Sequence, residues 1–208
     1  MAGNNQPLSA DGQKFPVIAF GHGFVMTWSA YQNIWEALVP NGFIMAFCNT
    51  ETGFSPNHLE FGKDLAYAIG YMQNAGSNAS SVFYDRIDST SCVMGHSMGG
   101  GASFLSVQFN ASISAIVNFA AAETNPSAIT AAASISIPAL LISGEKDCVA
   151  PPTTNQIPMY NAVISACKTL VQINGGIHCQ MSNTNTLCNL GEASCLPTGV
   201  ISQADQHA

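Results

Sequence analysis

Three residues along the chain have the types and the order needed to cleave an acyl bond. Ser97 lies in Gly95-His96-Ser97-Met98-Gly99, Asp147 in Glu145-Lys146-Asp147-Cys148, and His178 in Gly175-Gly176-Ile177-His178. The Gly-x-Ser-x-Gly run sits between a short apolar stretch, Ser91–Met94, and a helix-like one, Ser97–Gln108. A strand-turn-helix junction that tight is a nucleophile elbow, which strains the serine backbone and lifts its hydroxyl clear. The helix N-terminus below supplies free N–H groups and a positive dipole end, both suited to an oxyanion. Serine is a poor nucleophile at neutral pH and needs a base to take its proton, here His178. Asp147 then orients the imidazole and stabilises its charged form. The chain order Ser, Asp, His is one that such a triad uses.

Each residue also has a plainer use. Asp147 equally suits a cap of the turn that follows it, Glu145 is the competing acid, and His178 could be an ordinary loop histidine. His22 reads as shaping its loop, His96 as lining the pocket wall, and His58 and His207 as solvated. The oxyanion needs two donors, expected at the backbone N–H of Met98 and of Phe24. Their side chains also suit ordinary apolar packing. Trp28 and Trp35 read first as core, with Trp28 close enough to a helix start to reach the cleft.

These residues need a scaffold that brings strand ends together. Continuous apolar runs mark strands at Phe15–Phe20, Phe43–Cys48, Ser91–Met94, Ile113–Phe119, Ala139–Ser143 and Leu170–Ile173. Helices are expected between them, near Ser29–Leu38, Asn57–Asn74, Ser97–Gln108 and Pro158–Ala166, with a short one at Ser127–Ala133. The alternation implies an α/β fold, a mostly parallel sheet of about six strands flanked by helices. Sites in such sheets form at the carboxyl ends of the strands, where Phe24, Ser97, Asp147 and His178 all fall. The length suits one domain over residues 1–208.

Composition narrows the partners. Charged residues make up 8% of the chain and the net charge is −7 with only five Lys and Arg. That excludes nucleic acid, whose binding needs basic patches, and disfavours an anionic membrane surface. No apolar run is long enough to span a bilayer, and no signal peptide is visible. No metal ligand set and no phosphate-cradling glycine loop is present, so no cofactor is expected. Seven cysteines, three of them in the Gly/Asn/Ser/Thr-rich tail after Ile177, point to an oxidising compartment, secreted or periplasmic. Cys48, Cys92 and Cys167 read as packed thiols.

With these motifs in place, the chain resembles the cutinase-like polyester hydrolases of the α/β-hydrolase superfamily, which include polyethylene terephthalate hydrolases. It is also similar to dienelactone-hydrolase-like serine esterases. The likeness runs from about Phe15 to Cys179 and includes Gly23-Phe24-Val25-Met26, the Ser97 elbow with its following methionine, Glu145–Pro151 and Ile173–His178. It implies carboxylester hydrolysis through an acyl-enzyme, with neutral, apolar and polymeric esters as substrates. It implies Ser97, Asp147 and His178 as triad and Phe24 and Met98 as oxyanion donors, with His96, Trp28 and Ala122 as candidates for the substrate pocket. It also implies a disulfide between the acid and histidine loops, Cys148–Cys179, leaving Cys188–Cys195 as a second pair. Two departures stand out. Phe119-Ala120-Ala121-Ala122-Glu123 holds no tryptophan where the family usually has one, so ester chemistry is implied more directly than aromatic-polyester binding. The family's strands before Phe15 and its terminal helix have no counterpart, which implies a fold shortened at both ends. Acyl transfer or thioester hydrolysis would use the same triad. A non-catalytic or truncated binding protein on this scaffold is the reading from another class.

Overall fold

The computed structural model describes Leu8, Ser9 and residues 12–195 and 197–208. Six strands form one sheet: β1 (Phe15–Gly21), β2 (Ile44–Cys48), β3 (Ile87–His96), β4 (Ala115–Phe119), β5 (Ala139–Gly144) and β6 (Lys168–Ile173). All neighbours pair parallel, in the order β2-β1-β3-β4-β5-β6. The chain leaves β1 toward one edge and returns to β3 on the other side. The sheet therefore switches direction between β1 and β3, where a crevice opens at the strand ends. Gly21 and Gly95 are register partners at that point. The fold is that of the α/β-hydrolases.

Among the described residues, seven α-helices connect and flank the strands: α1 (Gln32–Leu38), α2 (His58–Ser77), α3 (Met98–Ser106), α4 (Ala128–Ala132), α5 (Gln156–Ala162), α6 (Thr186–Ala193) and α7 (Gln203–His207). Polar caps start several of them. Asn57 accepts from Leu59 N–H and Glu60 N–H, Ser127 from Thr130 N–H, and Asn185 from Cys188 N–H. Val17, Ala19 and Val93 on one sheet face pack under Phe61, Leu65 and Ile69 of α2 and Ala102 of α3. Phe104 of α3 continues this layer over Ile116 and Leu141 to α4 and α5. Ile18, Phe20 and Met94 face the other way, toward Tyr31 and α1. That side is thinner. A cavity of about 320 Å³ lies between α1, α7 and the sheet, lined in part by Met94, Phe119, Ile142 and Ile173.

Several boundaries differ from expectation for local reasons. β3 begins four residues before Ser91, because its first turnful is polar and reads as loop. Pro16 in β1 has no N–H to give, and the β1–β3 register slips between Phe15 and Val17. α5 stops at Ala162, and the next turn bends so that Ile164 N–H and Ser165 N–H both reach the Ile135 carbonyl. The expected lack of a helix after the histidine loop is corrected: the polar tail folds into α6 and α7, capped by Asn185 and Ser202. β2 is an edge strand whose five residues are all partly exposed.

Candidate active site

Ser97 is the hinge between β3 and α3, with φ +54° and ψ −120°. A non-glycine residue held there stores about 1–3 kcal/mol and persists only when its surroundings over-determine it. They do. Ser97 N–H donates to the Phe119 carbonyl at 3.0 Å, and the Ser97 carbonyl accepts from Ala122 N–H at 2.9 Å and Gly101 N–H at 3.1 Å. Gly99 N–H donates to the His22 carbonyl at 3.0 Å, which brings the elbow against the loop after β1. Only glycine permits this approach. A Cβ at position 99 would stand 2.2 Å from the Gly21 carbonyl carbon and oxygen, and neither can rotate away. Gly99→Ala is therefore expected to cost about 3 kcal/mol of stability. A urea titration checks it, and an unchanged midpoint would show the junction to be looser than its geometry.

Asp147 and His178 arrive from the ends of β5 and β6, both buried. Asp147 Oδ1 accepts from Val149 N–H at 2.9 Å and Ala150 N–H at 2.8 Å, while Oδ2 meets His178 Nδ1 at 2.7 Å. Both uses of this carboxylate hold at once: one oxygen caps the turn and the other faces the imidazole. A carboxylate on Nδ1 holds the proton there, so Nε2 is left to accept. Glu145 stands apart. Its Oε2 accepts from Gly175 N–H at 2.9 Å and its Oε1 from Lys146 Nζ at 3.0 Å. The Gly175 N–H, with Lys146 beside it, holds this exposed carboxyl below the usual range. Glu145 thus grips the histidine loop from outside.

After β1 the chain turns sharply. Met26 N–H donates to the Gly23 carbonyl at 3.0 Å, and Val25 sits at φ +50°, rare for a β-branched residue. Phe24 between them is exposed, its ring edge-on to Phe54 with centroids 6.3 Å apart. Phe54 is 83% exposed. His22 is buried, each ring nitrogen 2.8 Å from a carbonyl oxygen, Gly23 on one side and Thr50 on the other. Trp28 is half-exposed at the start of a short 3-10 turn, Trp28–Tyr31. Met98 is buried at the head of α3, and Ala122 lies beside Ser97 through its N–H.

His96 points inward rather than onto an open wall. It is 1% exposed, with its ring 4.8 Å from that of His178. Burial, and then the nearby His178, push its pKa well below 6.5. The unfolded chain takes up a proton at His96 below its ordinary pKa, and the folded chain does not. This contribution to stability is therefore complete above pH 6.5 and is lost as pH falls toward the depressed value. The expected slope approaches about 1.4 kcal/mol per pH unit. Urea midpoints of wild type and His96→Phe between about pH 7.5 and 5.5 measure it. Parallel curves for the two proteins would remove His96 as the cause.

Other histidines are less free than their sequence context suggests. His58 Nδ1 accepts from Asn125 N–H at 3.0 Å, and His207 Nε2 lies 2.7 Å from the Gln180 carbonyl oxygen.

The disulfides use the four expected cysteines in another pairing: Cys148–Cys195 and Cys179–Cys188. The acid and histidine loops are not bridged to each other. Each is fastened instead to the segment around α6, which takes both partners. Cys48 and Cys92 are partly buried thiols, with burial pushing each pKa up to about 12. Cys167 is exposed, not packed.

Three residues of the site escaped the sequence. Glu192 of α6 is buried and its Oε1 accepts from His178 N–H at 2.8 Å, with Cys179 N–H 3.4 Å away. Burial, more than any other influence, raises its carboxyl above the usual range. Gln206 of α7 brackets Ile177, accepting from its N–H at 2.9 Å and donating to its carbonyl at 2.8 Å. Tyr31, fully buried, accepts from Gly23 N–H at 2.7 Å. The caps Asn185 and Ser202 were the available signals for α6 and α7. Among the described residues, no cluster of three His, Cys, Asp or Glu could hold a metal ion, and no helix is long and apolar enough to cross a membrane.

Cutinase 2 of Thermobifida cellulosilytica is 27% identical over 170 residues, 81% of this chain and 62% of its own length. Cutinase est2 of Thermobifida alba is 28% identical over 177 residues, 84% of this chain and 56% of its own. Bis(hydroxyethyl) terephthalate hydrolase of Streptomyces coelicolor is 23% identical over 181 residues, 86% of this chain and 56% of its own. The chain thus spans between half and two thirds of the length of these relatives. The profile of the PET hydrolase-like family matches residues 5–195, the elbow and the acid and histidine loops included, and the chain belongs to that family.

Proposed function

We propose that this chain is a serine carboxylester hydrolase acting through an acyl-enzyme. The observation that carries the reading is the 2.7 Å contact of His178 Nδ1 with Asp147 Oδ2, with Ser97 held at φ +54° next to His96, whose ring lies 4.8 Å from that of His178. In the first half-reaction Ser97 Oγ attacks the ester carbonyl carbon, and its proton passes to His178 Nε2. Asp147 keeps the Nδ1 proton and offsets the imidazolium charge. The oxyanion is received by the Met98 and Phe24 N–H groups, preorganised donors of the kind worth about 10²–10³ in rate each. The C–O bond to the alcohol breaks, and the alcohol leaves with the proton from Nε2. Water then attacks the acyl carbon, gives its proton to Nε2, and the acid departs as that proton returns to Ser97 Oγ.

Neutral, apolar esters suit the surroundings. Phe24, Trp28, Phe54 and Val149 are exposed apolar side chains on the loops after β1, β2 and β5. The relatives named cutinase and bis(hydroxyethyl) terephthalate hydrolase support polyesters as candidate substrates. The two disulfides support an oxidising compartment outside the cytoplasm.

The test is hydrolysis of a short-chain p-nitrophenyl ester, with organophosphate labelling of the serine. Turnover that is blocked by modification at Ser97 is expected. A folded chain that neither turns over nor labels would leave a binding role. Ester products formed with an added alcohol in place of acid would move the reading to acyl transfer.

A further inference from the structure

Between the loop that carries Phe24 and the loop that carries His178 lies a buried string of polar groups. Gly23 N–H donates to Tyr31 Oη at 2.7 Å. Tyr31 Oη is 3.0 Å from His96 Nδ1, and His96 Nε2 is 3.2 Å from the His178 carbonyl oxygen. Gly23, Tyr31, His96 and His178 are all buried.

The proton positions follow from donor and acceptor capacity. A carbonyl can only accept, so His96 Nε2 carries a proton and donates to His178. In a neutral imidazole Nδ1 is then the acceptor, and the Tyr31 hydroxyl gives its one proton to it. The hydroxyl oxygen keeps a lone pair for Gly23 N–H. Met26 Sδ is 3.4 Å from the same hydroxyl, but a thioether is the weaker acceptor. Every donor and acceptor in the string is used, and all point one way, from the oxyanion loop to the base loop.

We propose that Tyr31 and His96 are positioning residues that set the distance between the oxyanion donors and the catalytic base. The proposal rests on the esterase reading above. Tyr31 fixes the His22–Gly23 peptide, one before the peptide that carries the Phe24 N–H, and His96 fixes the backbone carbonyl of the base itself. A reacting carbonyl must satisfy both sides at once, and such constellations tolerate only about 0.5 Å of error. Charge supports the same arrangement. When His178 becomes an imidazolium, the ring 4.8 Å away must be neutral. Burial keeps His96 in that state. The Tyr31 ring is meanwhile packed on Phe20, with centroids 4.6 Å apart, so the phenol cannot swing out.

Tyr31→Phe keeps the ring and deletes the link. Steady-state hydrolysis of a p-nitrophenyl ester is measured on wild type, Tyr31→Phe, His96→Phe and the double variant, each normalised by organophosphate titration of Ser97. Normalisation confines the comparison to folded sites. The expected result is a drop in kcat of about 10-fold to 100-fold in Tyr31→Phe, the size of effect that misplacement produces, at nearly unchanged KM. The double variant should lose no more than His96→Phe alone, because one string is cut either way. If His96→Phe does not fold, the kcat-against-KM split in Tyr31→Phe decides alone. A Tyr31→Phe protein with wild-type kcat per titrated site, whatever its melting temperature, overturns the proposal. So do fully additive losses in the double variant. Wild-type hydrolysis that survives Ser97→Ala would instead overturn the esterase reading.

Discussion

Replacing Ser97 by alanine is expected to lower kcat by about a million-fold, and His178→Ala by a similar factor. The two act as a unit, so the double variant should be no slower than either single one. Asp147→Asn is the more instructive change, with an expected loss of about 10⁴ in kcat. An asparagine oxygen can still accept from Val149 N–H and Ala150 N–H, the contacts that Asp147 Oδ1 makes. The fold of the acid loop should therefore survive. Its amide would instead present N–H toward His178 Nδ1, which must then accept, and the proton would move to Nε2. The base would be in the wrong tautomer to take a proton from serine. Single-turnover kinetics with a p-nitrophenyl ester checks all four variants. An Asp147→Asn protein within tenfold of wild type would hand the orienting role to another group. Glu145, already engaged with Gly175 and Lys146, could not supply it without breaking those contacts.

Cutting the Cys148–Cys195 disulfide should produce the largest loss of stability of any single change on the surface. The two cysteines are 47 positions apart, and closing a loop of that size removes about 4 kcal/mol of chain entropy from the unfolded state. Cys179–Cys188 spans only 9 and is worth roughly 2.5 kcal/mol on the same reasoning. The smaller loop lies inside the larger, so breaking both costs less than the sum. Activity should follow, because α6 carries Glu192, the acceptor for His178 N–H. Cys195→Ser frees the end of α6, and the base loop loses its grip. Urea midpoints and esterase rates for Cys195→Ser and Cys188→Ser read both effects. Equal midpoints in Cys195→Ser and wild type would show that the tail holds without its staple.

How much of this was legible in the sequence depended on what kind of signal each part leaves. Strands of a parallel sheet are buried on both faces and read as unbroken apolar runs, which is why Ala139–Ser143 falls within one residue of β5. The elbow carries its own local code in Gly95, Ser97 and Gly99. The start of β3 was hidden because Asp88, Ser89 and Thr90 make a polar stretch, stiffened by Thr90 N–H donating to Asp88 Oδ1 at 2.8 Å. Disulfide partners leave no local trace. Cys148 and Cys179 directly follow Asp147 and His178 in the chain, yet one finds its partner just after α6 and the other within it. Glu192 and Gln206 were lost in a polar tail, since a buried acceptor and a solvated one are the same letter. Tyr31 was missed because its hydroxyl acts on residues 8 and 65 positions away, and no spacing rule joins them.

Among the described residues, five non-glycine residues have positive φ, and four of them, Val25, Glu51, Ser97 and Ala120, stand just beyond the carboxyl ends of β1, β2, β3 and β4. At about 1–3 kcal/mol each, this strain is comparable to the whole margin by which an ordinary domain stays folded. In the proposed esterase this rim, over which substrate would pass, is thus a spring held compressed by the sheet beneath. A heat-tolerant variant could be reached in two ways that differ in kind. Relaxing the rim would raise the melting point by dulling the catalyst. Thickening the layer on the α1 side, where the cavity lies, would raise it while leaving the spring wound.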